Sequence, residues 1–243
     1  MPLRTFRVAL VCLCVLTVIG CAPQPGREVA PVPATPANLP EGFYRSASAK
    51  GEPVFMIDSS KPQSVLIRVY REGPLSRLGH DHVVAARQVR GYVLVPRDHA
   101  QARTDLYLSV GSLLVDDARD RAEAGFTTRI TQADIEGTRR HMLDAVLESA
   151  QFPFVILSGV CVSDMPLCGT LDTRITLHGV TRTISVPIVV QSDSARLVVS
   201  GHLSVLLTDF GMTPYSVLGG ALRVSDRVDV DFRLEARPMR ANS

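Results

Sequence analysis

The sequence predicts an all-β domain with one short helical insertion: a single antiparallel sheet that closes into an eight-stranded barrel. Three observations carry this. Apolar and polar residues alternate with a period of two through most of the chain beyond about Glu52, which gives strands with one dry and one wet face. One segment, Thr131 to Ala150, changes to a helical spacing. A sheet of eight or nine strands leaves edges open to other chains unless it curls and closes. A barrel of eight has room inside for one small ligand; a two-sheet sandwich is the competing architecture.

The elements follow in chain order. The chain opens MPLRTFR and runs on as twelve apolar residues, Val8 to Ile19, the pattern of an export signal. Twelve helical residues reach roughly 18 Å, short of a ~30 Å hydrocarbon core. Val18-Ile19-Gly20-Cys21, followed by Ala22, resembles a bacterial lipobox. That resemblance makes residues 1–20 a lipoprotein signal peptide and Cys21 the lipidated first residue of the mature chain. It also implies the bacterial periplasm and, with no Asp after the cysteine, anchoring to the outer membrane. Several acyl chains on one cysteine exceed the two signals that stable anchoring needs.

The charge balance changes with this leader. The full chain has 26 basic and 24 acidic side chains. Loss of Arg4 and Arg7 leaves 24 of each, so the mature chain is formally neutral. A nucleic-acid partner held by phosphate neutralisation is therefore excluded. The 46% hydrophobic content excludes a wholly disordered chain.

From Ala22 to Pro40 six prolines punctuate a stretch with few large apolar residues, the composition of a semi-rigid tether. Nineteen such residues reach up to about 59 Å. The expected organisation is a signal over 1–20, lipidated Cys21 and tether over 21–51, a barrel domain over 52–238 and a tail over 239–243.

In the barrel domain, Val65, Ile67 and Val69 share one strand face; Leu106, Leu108 and Val110 share another, opposite Asp105, Tyr107 and Ser109. Leu171, Thr173, Ile175 and Leu177 repeat the pattern, as do Ile184, Val186, Ile188 and Val190. Val228, Val230, Phe232 and Leu234 alternate with Arg, Asp, Asp, Arg and Glu. Runs at 83–95, 154–160 and 195–207 complete the set. Thr131 is the expected cap of the helical segment, and Gly137 the point where it divides in two.

Cys161 and Cys168 flank a turn-rich connection between two strands. In an oxidising compartment they are expected to form a disulfide, and their spacing suits neither a redox C-x-x-C pair nor a zinc knuckle. Gly79-His80-Asp81-His82 places two imidazoles two residues apart, on one face of an extended strand. His80 and His82 are therefore the candidate metal ligands, with His202 as the only third ligand to nominate. The alternative is a hydrogen-bonded strand-start motif. His178 reads as a turn histidine, while His99 and His141 stand among exposed charges and suggest nothing. G-x-S-x-G, G-x-G-x-x-G, Walker and H-E-x-x-H motifs are absent. Asp116-Asp117 and the pair Asp229/Asp231 do not form a tuned acid–base couple. The expectation is a protein that is not an enzyme and needs no cofactor.

Taken in order, several segments resemble the YceI-like family of bacterial periplasmic lipid-binding proteins. They are Phe55-Met56-Ile57-Asp58-Ser59, the strand around Val65–Val69, the Gly91 strand, and Ser112-Leu113 with Ala118–Asp120. They continue with Met142 through Val146-Leu147 to Phe152-Pro153-Phe154-Val155. Leu177-His178-Gly179-Val180-Thr181-Arg182, Asp209-Phe210-Gly211-Met212 and Val224–Val228 complete the match over about 54–237. The resemblance implies a lipocalin-like barrel that buries an isoprenoid-type or other long lipid. Each buried methylene gains ~0.8 kcal/mol, so such a tunnel needs no catalytic group.

The expected ligand-lining residues are Val65, Ile67, Val69, Ile184, Val186, Ile188, Val228, Val230 and Phe232. The expected partners are that apolar lipid, the membrane through the N-terminal anchor, and a homodimer as an open option. A metal-binding or redox accessory protein using His80 and His82, or a non-catalytic protein-interaction barrel with a filled interior, are the rival functions.

Overall fold

Alternation in sequence becomes a closed ring of strands in a computed structural model of the chain. It describes residues 35–239 apart from 59, 97–100, 163–167 and 194. The expected signal over 1–20, Cys21, the tether to residue 34, His99 and the tail beyond Met239 lie outside the described residues. No helix among the described residues is long and apolar enough to cross a membrane.

The strands are β1 (Val54–Ile57), β2 (Ser64–Glu72), β3 (His82–Ala86), β4 (Val89–Leu94), β5 (Arg103–Ser109) and β6 (Leu114–Val115). They continue with β7 (Phe154–Cys161), β8 (Thr170–Leu177), β9 (Val180–Ser192), β10 (Leu197–Leu206), β11 (Ser216–Val217) and β12 (Leu222–Pro238). Antiparallel pairing runs β1-β4-β5-β7-β8-β9-β10-β12, and β12 returns to β1 through Phe55 opposite Pro238. Eight strands close the barrel. β2, β3 and β6 extend it from the same edge of β12, with Val69 opposite Val228 and His82 opposite Val69. So β1 and β2 act as one strand broken in the middle, and so do β3 and β4. The apolar run at 83–95 is thus two short strands with Arg87-Gln88 between them.

A single side chain holds the break between β1 and β2 together. Gln63, 3% exposed, donates from Nε2 to the Asp58 carbonyl at 2.9 Å. Its Oε1 accepts from the Glu235 backbone N–H at 2.8 Å. The amide takes the place of backbone groups that the bulging loop withdraws from the ladder, and bonds the Asp58 carbonyl and the Glu235 N–H in their stead. At Gly91 (φ +137°) the β4 backbone passes so close to β5 that a Cβ would fall 2.2 Å from the Asp105 carbonyl oxygen; only glycine fits.

Among the described residues three α-helices decorate the barrel. Helix α1 (Glu41–Ala49) lies inside the expected tether, and this is a correction. It packs Tyr44 (0% exposed) and Ala47 against Val54, Tyr92 and Leu94. Tyr44 stacks on Tyr92 with centroids 5.1 Å apart and donates its hydroxyl to Asp105 Oδ2 at 2.7 Å. The folded domain therefore starts before residue 41, not at 52. Asp105 also accepts from Arg103 (2.7 Å) and from Ser158 Oγ (2.6 Å). The face of β5 expected to be wet is buried beneath α1.

Asp117 caps α2 (Ala118–Glu123) by accepting from Arg119 N at 2.9 Å. Thr131 caps α3 (Gln132–His141) in a reciprocal capping box with Asp134. Gly137 does not divide this helix. The change comes later, where Met142–Val146 widen into a π turn and carry Met142, Val146 and Leu147 onto the barrel interior. Cys161 and Cys168 form the expected disulfide, with Cα atoms 5.8 Å apart.

Candidate functional site

Inward-facing side chains do not fill the ring. They surround a cavity of about 620 Å³, walled almost entirely by Val, Leu, Ile, Met and Phe side chains from every major strand. That volume lies within the range of ligand sites in proteins. Val65, Ile67, Val69, Val186, Ile188, Val228, Val230 and Phe232 stand on its wall. Ile184 does not. It packs instead against the cluster of Ile175, Phe210 and Met212, whose own side chains reach the wall. The wall also takes Leu106, Leu108, Val155 and Leu157. These residues show the same alternation in sequence, but only the closed ring turns their faces to one centre.

Polar groups meet the cavity at two ends. At one, Arg103 is tied to Asp105, and Thr104 Oγ1 donates to the Tyr92 carbonyl at 2.9 Å. Thr173 Oγ1 points to the Leu171 carbonyl at 3.4 Å. At the other end, beneath α3, stand His82, Thr138, His141 and Tyr215. The His141 and Tyr215 rings lie 4.1 Å apart, and Tyr215 is 43% exposed. His141, which suggests nothing in sequence, is brought to the wall by the last turn of α3.

His82 Nδ1 lies 2.5 Å from Asp116 Oδ2. Asp116 is wholly buried at its side chain, accepts from Arg121 at 2.7 Å and from the Val83 N–H at 3.0 Å, and has φ +55°. Burial pushes the Asp116 carboxyl up, but the hydrogen bonds and charges of His82, Val83 and Arg121 outweigh it and hold it below the usual carboxylate range. Neither Asp116 nor Asp117 faces an open site: one is an ion-pair partner, the other a helix cap.

The His80 and His82 rings do approach, with centroids 4.6 Å apart. Burial, and then His82 beside it, holds the His80 imidazole below its ordinary value. The nominated third ligand is elsewhere: His202 sits on the outer face, its Nδ1 2.9 Å from Asp231. Among the described residues no group of three or more His, Cys, Asp or Glu could hold a metal ion. His178 (φ +51°) and Gly179 (φ +73°) form the two-residue turn joining β8 to β9, with the imidazole against Phe152 at 4.5 Å.

A closed eight-stranded antiparallel barrel around an apolar interior is a lipocalin-like barrel. The model of the YceI-like domain matches residues 81–236, well over half the chain. The chain belongs to the YceI-like family. No curated protein shows significant sequence similarity.

Among solved structures, Burkholderia cenocepacia BcnA is similar at 13% identity and a TM-score of 0.50, over 70% of this chain and 95% of that one. A polyisoprenoid-binding domain from Saccharophagus degradans, implicated in plant cell wall breakdown, is similar at 14% identity and a TM-score of 0.50. That likeness covers 77% of this chain and 99% of the other. At such identities these likenesses establish the fold.

Proposed function

We propose that this protein sequesters or carries one long apolar lipid of isoprenoid type in the barrel cavity and performs no chemistry on it. It does so in the bacterial periplasm, held to the outer membrane through lipid on Cys21. The apolar cavity carries the reading. Aliphatic side chains around a space of about 620 Å³ present apolar surface whose burial by a ligand gains about 25 cal/mol per Å². A fold that keeps such a space lined with aliphatic groups keeps it for an occupant. The polyisoprenoid-binding structural neighbour supports the ligand class, and the leader and lipobox support the location.

The test is native mass spectrometry of the full chain expressed in an exporting bacterium, with solvent extraction of whatever stays bound. Wild type is expected to retain one apolar ligand. A double variant that fills the wall, Ile67→Phe with Val230→Phe, is expected to fold and lose it. A wild-type protein that retains no apolar molecule, and takes up none from lipid extract, refutes the proposal. Labelled palmitate should enter wild type and not Cys21→Ser; equal labelling of the two removes the anchor.

A further inference from the structure

The two polar ends of the cavity differ in what their side chains are already doing. At the Arg103 end every polar group is committed: Arg103 to Asp105, Thr104 to the Tyr92 carbonyl, Thr173 to its own strand. At the α3 end the side chains of Thr138, His141 and Tyr215 face the cavity and make no hydrogen bond among the described residues. His82 is committed on one edge only. An ionised carboxylate accepts and cannot donate, so Nδ1 carries the proton toward Asp116 and the ring offers Nε2.

Topology places these groups together. His82 is opposite Val69 on β2. Tyr215 hangs beside the same strand end, its carbonyl accepting from Val224 N at 2.8 Å, and Val224 is opposite Arg71. Helix α3 closes over them, with Arg139 Nη2 donating to the Gly111 carbonyl at 2.7 Å.

We propose that the α3 end is a head-group site, and that the ligand is an amphiphile whose hydroxyl or carboxyl head lies between Tyr215, Thr138 and His82 while its chain runs toward Arg103. This rests on the carrier reading and adds an orientation and a ligand class to it. The hydroxyls of Tyr215 and Thr138 donate or accept, and the Nε2 edge of His82 offers the head a third hydrogen-bonding group. The fixed ion pair Asp116–Arg121 behind His82 holds that imidazole in place. A plain hydrocarbon would fill the tunnel and leave these groups unmatched.

The experiment compares dodecanol, dodecanoate and dodecane as competitors of a fluorescent fatty-acid reporter bound to the whole protein. Two hydrogen bonds are worth about tenfold to a hundredfold in affinity, so both headed probes should compete at concentrations at least about tenfold below dodecane. Thr138→Val with Tyr215→Phe, which removes hydroxyls at an exposed rim, should close most of that gap and leave dodecane unchanged. His82→Gln, which keeps a polar group opposite Asp116, should weaken the headed probes alone. The site is refuted if the three probes compete alike in wild type, or if the Thr138/Tyr215 variant preserves the gap. If none of the three displaces the reporter, the carrier reading falls first and this site with it.

Discussion

Replacing Asp116 by Asn should destabilise the barrel by about 3–5 kcal/mol, because it leaves a buried guanidinium without its counter-charge. The side chains of Asp116 and Arg121 are 0% and 7% exposed, with N and O 2.7 Å apart. Asn keeps an acceptor for the Val83 N–H and tolerates the +55° φ of this position, so the change isolates the charge. For a domain of this size each kcal/mol moves Tm by about 2–4 °C, giving a fall of roughly 6–20 °C by differential scanning calorimetry. Arg121 also donates to the Asp81 and Thr128 carbonyls, so Arg121→Gln will be costly by itself. The double variant should nonetheless be about 1–3 kcal/mol more stable than the two single costs together imply. A Tm fall under about 3 °C for Asp116→Asn, or additive costs, would show that the pair does not fasten this end of the barrel.

Three further outcomes are expected. Tyr44→Phe removes a buried hydrogen bond to a charged group and should cost about 1.5–3 kcal/mol, with faster amide exchange confined to α1; unchanged exchange would show that the helix does not depend on Asp105. Reducing Cys161–Cys168 opens a loop of eight residues, worth roughly 2.5 kcal/mol by chain entropy, and should lower Tm by about 5–10 °C; a Tm that ignores reductant argues against the staple. Both His80 and Asp116 have folded-state values below their ordinary 6.5 and 3.8. The unfolded chain then binds more protons, so stability should fall as pH drops below about 6.5 and again below about 4. In His80→Phe the first of these steps should vanish, and its persistence would assign it to another group.

Much of the barrel is legible in the sequence because burial on one face forces alternation. The outer face of β12 reads as charged and is, with Ser204 on Asp229 and Lys61 on Glu235. What escapes reading is decided by partners far away in the chain. Helix α1 has no capping side chain at Pro40 and only nine residues, too few to be stable alone. Its stability comes from Tyr44 reaching Asp105, sixty-one positions on, and the same contact dries a face that looks wet. Gln63 is one more polar residue in a loop until Glu235 arrives beside it. The site shows the same limit: alternation marks Ile184 as inward, but in the closed ring it packs against Ile175, Phe210 and Met212, and these stand on the cavity wall in its place. His80 and His82 are correctly adjacent; their surroundings give them a buried carboxylate instead of a third ligand.

The docking of α1 also sets a load path. Any pull on the chain upstream of Glu41 reaches the barrel through this helix before it reaches β1. The Tyr44 ring lies flat against Tyr92 and its hydroxyl is locked to Asp105, while β1 is only four residues long and closes the ring against β12. Helix α1 therefore works as a strain relief. Tension would peel nine helical residues from the outer wall while the closing seam stayed zipped and the cavity kept its shape.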